Sequence, residues 1–372
     1  MDFKIKKGDF LNLLRWSQGI AEKRSTMMIL SNLLLEASEK TLRITATDLE
    51  IVLTAEGELE GKGSQRWVVN ARHLYEIVRE APAEELRLEK VEGNGLQVVS
   101  GKAVFKIVGM NPDDFPAVPR LSSKGEVALD PDDLSEMIEK TFYAVSTDET
   151  RYTLNGLYLA SPIRPGDGPP LLRMVATDGH RLSYSERPVD NQWKLDKGIL
   201  VPRKGIQELK KLLAEGAGEL FVASDEKAIR FRRGPVTLLI RLIEGEFPAY
   251  EQVIPKNCDR IASVNRELLG GALRRASILA SVEGRGVRLG FSPNLLEIQS
   301  SNPDLGETRE ELPIDYRGAQ FEVAFNPRYL SDLLAVIEDE KAVLELKDDV
   351  SPCVIRSEFD KGFLSLVMPM RL

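Results

Sequence analysis

The sequence predicts an α+β fold made of three copies of one domain, each with antiparallel sheet on one side and two helices on the other. Three repeated features predict it. The first is a strand that runs into a turn: Leu171-Leu172-Arg173-Met174-Val175-Ala176-Thr177-Asp178 leads to Asp178-Gly179. Leu42-Arg43-Ile44-Thr45-Ala46-Thr47-Asp48 repeats it 130 residues earlier, and Leu296-Glu297-Ile298-Gln299-Ser300-Ser301-Asn302 echoes it 124 residues later. The second is an arginine opening an amphipathic run after an extended segment. Arg72, Arg203 and Arg328 hold these places, 131 and 125 residues apart. The third, Phe115-Pro116 and Phe247-Pro248, keeps the first offset to within two residues. Independent features sharing the same offsets argue for copies of one domain, expected over residues 1–122, 126–253 and 254–372.

Composition bounds the class. The chain has 372 residues, 42% hydrophobic and 29% charged, as in an ordinary globular protein. A copy of about 124 residues is large enough to bury its own core. No apolar run approaches the roughly 20 residues of a membrane span. The start, MDFKIKKGDF, has charges without an apolar core behind them, so no signal peptide is expected. Cys258 and Cys353 stand apart and supply neither metal spacing nor a redox motif. No metal or cofactor is expected, and a reducing, cytoplasmic setting is. With 58 acidic against 50 basic residues the net charge is −8, which taken alone argues against a nucleic-acid partner. A total does not say where the charges sit.

The elements follow in order. A short strand precedes a helix over Asp9 to Ala21, with Phe10, Leu13, Leu14 and Ile20 at helical spacing and Asp9 as N-cap. Strands are expected at Ile29–Leu35, Thr41–Thr47 and Ile51–Glu58, and a second helix at Asn70–Ala81, ended by Pro82. Leu86–Lys90, Gly95–Ser100 and Ala103–Val108 complete the copy. Residues 112–125, with three prolines and then Ser-Ser-Lys-Gly, have linker composition. In the second copy Pro131 opens a helix through Phe142, residues 161–170 form a loop between two strands, and a helix is expected over Leu195–Leu213. The third copy has helices at Leu268–Ala280 and Pro327–Ile337 and ends in a strand from Phe363 to Leu372.

Asp178-Gly179-His180-Arg181 concentrates chemistry. A hydrolase could use His180 as a base oriented by Asp178. Only one other histidine exists, His73, and no nucleophile elbow, Walker loop, dinucleotide fingerprint or His-Glu-x-x-His helix is present. Catalysis is therefore not expected. A plain turn would use Asp178 and Gly179 but does not require His-Arg-Leu after them.

Arg72, Arg203-Lys204 and Arg328 stand at helix beginnings, where the macrodipole favours acidic residues by up to about 1 kcal/mol. A local rule broken at three equivalent places points to a use, although charge on helices is usually a solvated face. Arg15, Lys23, Arg24, Arg79, Lys140, Lys210, Lys211, Arg274 and Arg275 add positive charge to the helices, while Asp132, Asp133, Glu136 and Glu139 oppose it on one of them.

Together, the VATDGHRLS segment, Val201-Pro202-Arg203-Lys204-Gly205, Phe247-Pro248 with Ile254-Pro255-Lys256-Asn257, Arg285-Gly286-Val287-Arg288-Leu289 and Val367-Met368-Pro369-Met370-Arg371-Leu372 resemble the beta subunit of bacterial DNA polymerase III, the sliding-clamp family. The resemblance covers the whole chain. It implies a head-to-tail homodimeric ring of six like domains, sheets outside and helices inside, that encircles duplex DNA and tethers the replicative polymerase without reading sequence. By resemblance, Arg24, Arg72, Lys102, Arg203 and Lys204 face DNA. Phe105 and Ile107 resemble one side of the dimer contact and Ile278 and Leu279 the other, and strand alternation is expected to point Lys106 away. Leu154, Thr177, Gly179, His180, Arg181, Leu182, Pro248, Val253, Val367, Met368, Pro369 and Met370 line an apolar groove for short hydrophobic motifs of the polymerase, the clamp loader and other DNA-processing proteins. Gln252 and Pro352 stand where related clamps can carry other residues. The competing expectation is a dimeric site-specific DNA-binding or repair factor, which a specific duplex footprint would reveal.

Overall fold

The computed structural model describes residues 2–21, 27–119, 121, 126–162, 169–189, 193, 195, 197–280 and 286–371. The first copy runs β1 (Asp2–Lys6), α1 (Lys7–Ser17), β2 (Asn32–Ala37), β3 (Thr41–Thr47), β4 (Ile51–Glu58), β5 (Glu60–Gly61), β6 (Gln65–Asn70), α2 (Ala71–Glu80), β7 (Glu85–Lys90), β8 (Leu96–Ser100) and β9 (Ala103–Ile107). The second runs β10 (Val127–Leu129), α3 (Pro131–Phe142), β11 (Gly156–Ala160), β12 (Leu171–Thr177), β13 (Arg181–Pro188), β14 (Ile199–Pro202), α4 (Arg203–Glu215), β15 (Leu220–Ser224), β16 (Ala228–Arg233) and β17 (Val236–Arg241). The third runs β18 (Arg260–Asn265), α5 (Arg266–Ile278), β19 (Val287–Ser292), β20 (Leu295–Asn302), β21 (Gly306–Asp315), β22 (Phe321–Phe325), α6 (Pro327–Leu334), β23 (Lys341–Leu346), β24 (Cys353–Arg356) and β25 (Phe363–Val367). Each copy is α+β, with strands before, between and after its two helices.

Sequence explains the local choices. β1 alternates Phe3 and Ile5 inward with Asp2, Lys4 and Lys6 outward, and β7 does the same with Leu86 and Leu88. On α2, Ala71, Leu74 and Val78 recur at helical spacing and are buried. The Asn70 side chain accepts the His73 N–H at 3.0 Å, Asn265 accepts that of Leu268 at 3.0 Å, and Asn326 that of Arg328 at 3.0 Å, so asparagine starts a helix in three places.

Four expectations need correction. Asp9 lies in the first turn of α1 and is not its cap, because β1 passes straight into the helix at Lys7. Residues 28–31 form a 3-10 turn before β2. The second helix of the middle copy begins at Arg203 and not at Leu195, since Ile199–Pro202 pairs with β11 first. That short strand recurs in every copy as β6, β14 and β22, so the expected order lacked one strand in the second and third copies and, with β5, two in the first.

The chain divides into two compact units, residues 1–131 with 204–242, and 132–203 with 243–372. In the first unit, β5-β1-β7-β8-β9 form one sheet and β10-β15-β16-β17-β4-β3-β2-β6 another. Phe3, Phe10, Leu14, Leu33, Leu35 and Trp67 are fully buried, with the Phe3 and Trp67 rings edge to face at 5.9 Å. In the second unit, twelve strands run β14-β11-β12-β13-β25-β24-β23-β18-β21-β20-β19-β22, and Leu269 and Leu273 of α5 and Leu330 and Leu333 of α6 fill the core with Phe291, Phe325 and Phe363. All paired strands are antiparallel, and each fully buried leucine contributes about 2 kcal/mol.

Two joints between copies obey one rule. In the first unit β17 of the middle copy pairs with β4, Ile240 opposite Ile51. In the second unit β25 pairs with β13, Val367 opposite Arg181. After each joint the next N–H, of Arg241 or Met368, donates to the carbonyl of Glu50 or His180 at 2.8 Å. Behind the second joint, Lys140 is buried at 6% exposure between Glu136 and Asp360, and Arg187 grips Asp360 with two bonds of 2.9 and 3.0 Å. Lys140 is thus a structural cation and adds nothing to a basic helix face.

Candidate functional site

The turns at the two joints are built identically. Thr177 Oγ1 donates to the Arg181 carbonyl and accepts the Gly179 N–H, while one Asp178 oxygen accepts the N–H groups of His180 and Arg181 at 2.9 and 3.0 Å. Thr47 and Asp48 make the same bonds to Ile51, Leu49 and Glu50. Asn302 accepts the Asp304 N–H in the third copy. The Thr-Asp pair is therefore turn chemistry, and Asp178 orients backbone and Arg181 rather than a histidine base.

What differs is the surroundings. At the first joint Asp48 is closed off by Lys204 and the position after it is Leu49, at φ 77°. At the second joint Gly179 takes φ 87°, and His180 is exposed with its ring parallel to Tyr329 at 6.3 Å. Arg181, only 8% exposed, is held by Asp178 at 3.0 Å and Asp332 at 2.6 Å and lies over the rings of Tyr329 and Tyr143. Burial pushes the Tyr143 hydroxyl up to about 12, so it stays protonated and bonds to Ser365 at 2.7 Å. On this side of the turn a cavity of about 460 Å³ is lined by Arg151, Asp178, His180, Arg203, Arg328 and Asp332 among others.

The other side is apolar. Val175, Leu182, Leu364 and Leu366 form a buried layer on which Tyr158, Tyr184, Phe247, Tyr250 and Ile254 pack. The Phe247 ring stacks on Tyr158 at 4.8 Å and 3°. Past Val367 the chain is pinned twice, by the Met368 N–H on the His180 carbonyl at 2.8 Å and the Met370 N–H on the Ala324 carbonyl at 2.7 Å. The Met110 and Ile243 N–H groups make the second of these bonds in the other copies, to Val68 and Leu200, so the terminal segment also has a structural part.

The structure sorts the expected groove residues into two layers. Leu154, Thr177, Arg181, Leu182 and Val367 are buried and support the surface, while Gly179, His180, Pro248 and Val253 are exposed and Met368, Pro369 and Met370 half-buried. Sequence reasoning misses Tyr329, Tyr158, Tyr250, Arg173 and Asp332. Tyr329 comes directly after the Asn-Pro-Arg signature, and Tyr250 comes two residues after Phe247-Pro248, which is the available signal.

Of the expected DNA-facing residues, Arg24 lies outside the described residues. Arg72 is exposed at the second position of α2 and pairs with Glu76 at 2.8 Å; Lys102 is exposed in the turn between β8 and β9. Lys204 takes the matching second position of α4, and Arg328 that of α6. Arg203, at the first position, instead lies over the Phe142 ring at 4.9 Å and bonds to the Val145 carbonyl. At the expected dimer contact, Phe105 is half-buried and Ile107 buried on one face of β9, with Lys106 exposed on the other as alternation requires. Ile278 is 72% exposed and Leu279 half-buried.

Comparison with known proteins agrees with this geometry. Residues 1–119, 128–249 and 251–371 match the N-terminal, central and C-terminal domains of the DNA polymerase III beta subunit. The chain is 34% identical to the beta sliding clamps of Pseudomonas putida and of Escherichia coli K12, covering 100% of each. Its fold matches the solved beta sliding clamp of Caulobacter crescentus with TM-score 0.94 at 33% identity, and that of Pseudomonas aeruginosa bound to griselimycin with TM-score 0.91 at 34%, each over all of both chains. The chain therefore belongs to the DNA polymerase III beta subunit family, the beta sliding clamps, which are non-catalytic processivity factors of DNA replication.

Proposed function

We propose that two copies of this chain, each carrying domains at 1–122, 126–253 and 254–372, close head to tail into a ring around duplex DNA and tether the replicative polymerase. One observation carries the closure. Three copies offer three joints, of which the chain makes two. Among the described residues β9 has no partner beyond β8, and β21 meets β18 only at Ile314 and Asp315, which leaves its Gly306–Leu312 edge open. Such edges invite pairing with another chain. The register of the two formed joints, carried to the third, sets Ile107 opposite Gly306, Lys106 opposite Glu307 and Phe105 opposite Thr308. It also brings together Val108 and Leu305, 90% and 63% exposed in the single chain. Ile278 and Leu279 end α5, whose Arg275 bonds Glu310 of β21. A head-to-tail contact of this kind closes when the rotation allows.

Inside such a ring Arg24, Arg72, Lys102, Arg203 and Lys204 supply phosphate contacts blind to sequence, and weak ones permit sliding. Arg328 joins them as the third-copy counterpart of Arg72 and Lys204. The exposed residues of the second joint, His180, Pro248, Val253 and Met368 to Met370, receive short hydrophobic motifs of the polymerase, the clamp loader and other DNA-processing proteins. The setting on this reading is the cytoplasm.

The test is mass and retention. The chain should sediment as a dimer at micromolar concentration and remain on circular but not linear duplex. Lys106→Glu should shift it toward monomer and Glu307→Lys in the same chain should restore it. A stable monomer, or retention governed by a specific duplex sequence, would contradict the reading.

A further inference from the structure

The wall of the partner site that carries Pro248 and Val253 is a connector with local backbone bonds, Tyr250 N–H to the Pro248 carbonyl at 2.7 Å and Gln252 N–H to that of Ala249 at 3.2 Å. Side chains tie it to the sheet. One guanidinium nitrogen of Arg173, on β12, donates to the Tyr250 hydroxyl at 2.8 Å and to the Glu251 carboxylate at 2.8 Å. The guanidinium lies over the rings of Tyr184 and Tyr250, at 5.0 and 5.9 Å. Its opposite edge is fixed by Glu186, directly across the strand pair at 2.5 Å. The two residues it grips lie between the two that offer apolar surface. We propose that Arg173 is a positioning residue for the partner site, one that never touches a ligand but sets groove affinity by clamping the Tyr250-Glu251 turn of the connector onto β12.

The chemistry selects arginine. A planar fork can bond Glu186 on one edge and the connector on the other while stacking between two rings, whereas a lysine ammonium supplies a point charge and cannot do all three. Burial of the guanidinium opposes its charge, but Tyr250 and Glu186 more than compensate and raise its pKa. The guanidinium therefore stays charged at any working pH. A partner that meets a connector already in place does not bear the cost of ordering it.

The inference rests on the groove reading, so its test includes a readout that needs no ligand. Hydrogen exchange on the full chain should show amides of residues 250–254 exchanging about tenfold faster in Arg173→Lys, with β12 and β13 unchanged. Griselimycin, as probe, should bind Arg173→Lys about tenfold more weakly and Tyr250→Phe about threefold more weakly. The double variant should be no weaker than Arg173→Lys alone, because both changes break one bond. Unchanged exchange in 250–254, an equal rise throughout β12 and β13, or additive losses would overturn the assignment. Tyr250→Phe removes a single hydroxyl and keeps the test available if Arg173→Lys folds poorly. If His180→Ala with Met370→Ala leaves griselimycin affinity intact, the groove reading fails while the exchange result still decides the role of Arg173.

Discussion

The turns Thr47–Ile51 and Thr177–Arg181 share their sequence signature, their hydrogen bonds and their strand pairing across a joint, yet only the second carries the proposed partner surface. The difference lies in the chain beyond each joint. After Ile240 it continues with Arg241 and buried Leu242; after Val367 it continues with half-buried Met368, Pro369 and Met370. At the turn itself Lys204 covers Asp48, whereas Gly179 opens a backbone beside exposed His180. Repetition keeps the scaffold, and the proposed function lies where the copies diverge.

The largest expected effect tests the shared scaffold. Asp178→Ala removes two backbone bonds and leaves Arg181 buried with Asp332 alone, for a loss of about 3 kcal/mol. Asp48→Ala removes the same backbone bonds but leaves Lys204 within reach of water, for about 2 kcal/mol. Thermal midpoints of the two variants measured side by side check the order, and an equal or reversed loss would mean that the surroundings of the turns do not matter.

Acid should separate the joints next. Burial opposes ionisation of Asp360, but hydrogen bonds from Lys140 and Arg187 hold its carboxyl below the ordinary aspartate range. A carboxylate with a lowered folded-state pKa stabilises above the unfolded value of about 4, and that stability is lost as pH falls through the folded value. Melting below pH 4 should begin near the second joint, read by exchange in β13 and β25, and Asp360→Asn should reduce that pH dependence, Glu136 on the same two cations supplying the rest. Glu126, held down chiefly by its hydrogen bond with Arg232, gives the first unit a response of the same sign.

A smaller effect concerns the two positive-φ positions. Gly179→Leu should destabilise by about 1 to 2 kcal/mol, because φ is 87° and a Cβ would stand 2.9 Å from Arg151. Leu49→Gly should change stability by less than about 1 kcal/mol, relief of the φ 77° strain being offset by backbone entropy. Matching losses at both sites would show that Leu49 is not strained.

The repeat, the α+β character and the second-joint turn are legible because each is written locally: alternation in β3, the apolar run of β12, and Thr-Asp before a residue at positive φ. The 3-10 turn at residues 28–31 is not, since Ile29 and Leu30 are as apolar as a strand and only packing on Phe115 and Val68 decides. β14 reads as helix in the sequence because Ile199-Leu200-Val201 fits either period. The division of the proposed groove into buried support and exposed surface needs the strand pairing, which puts Leu182 under the connector and His180 outside it. Arg173 stands inside the signature that defines the repeat, but Tyr250 and Glu251 lie 77 and 78 residues away, a distance no local pattern spans.

The most direct measurement of the contrast is calorimetry with griselimycin on variants at the two joints. His180→Ala with Met370→Ala should weaken binding at least about tenfold, while Leu49→Ala with Glu50→Ala at the first joint leaves it unchanged. Equal losses at both joints, or none at the second, would contradict the account.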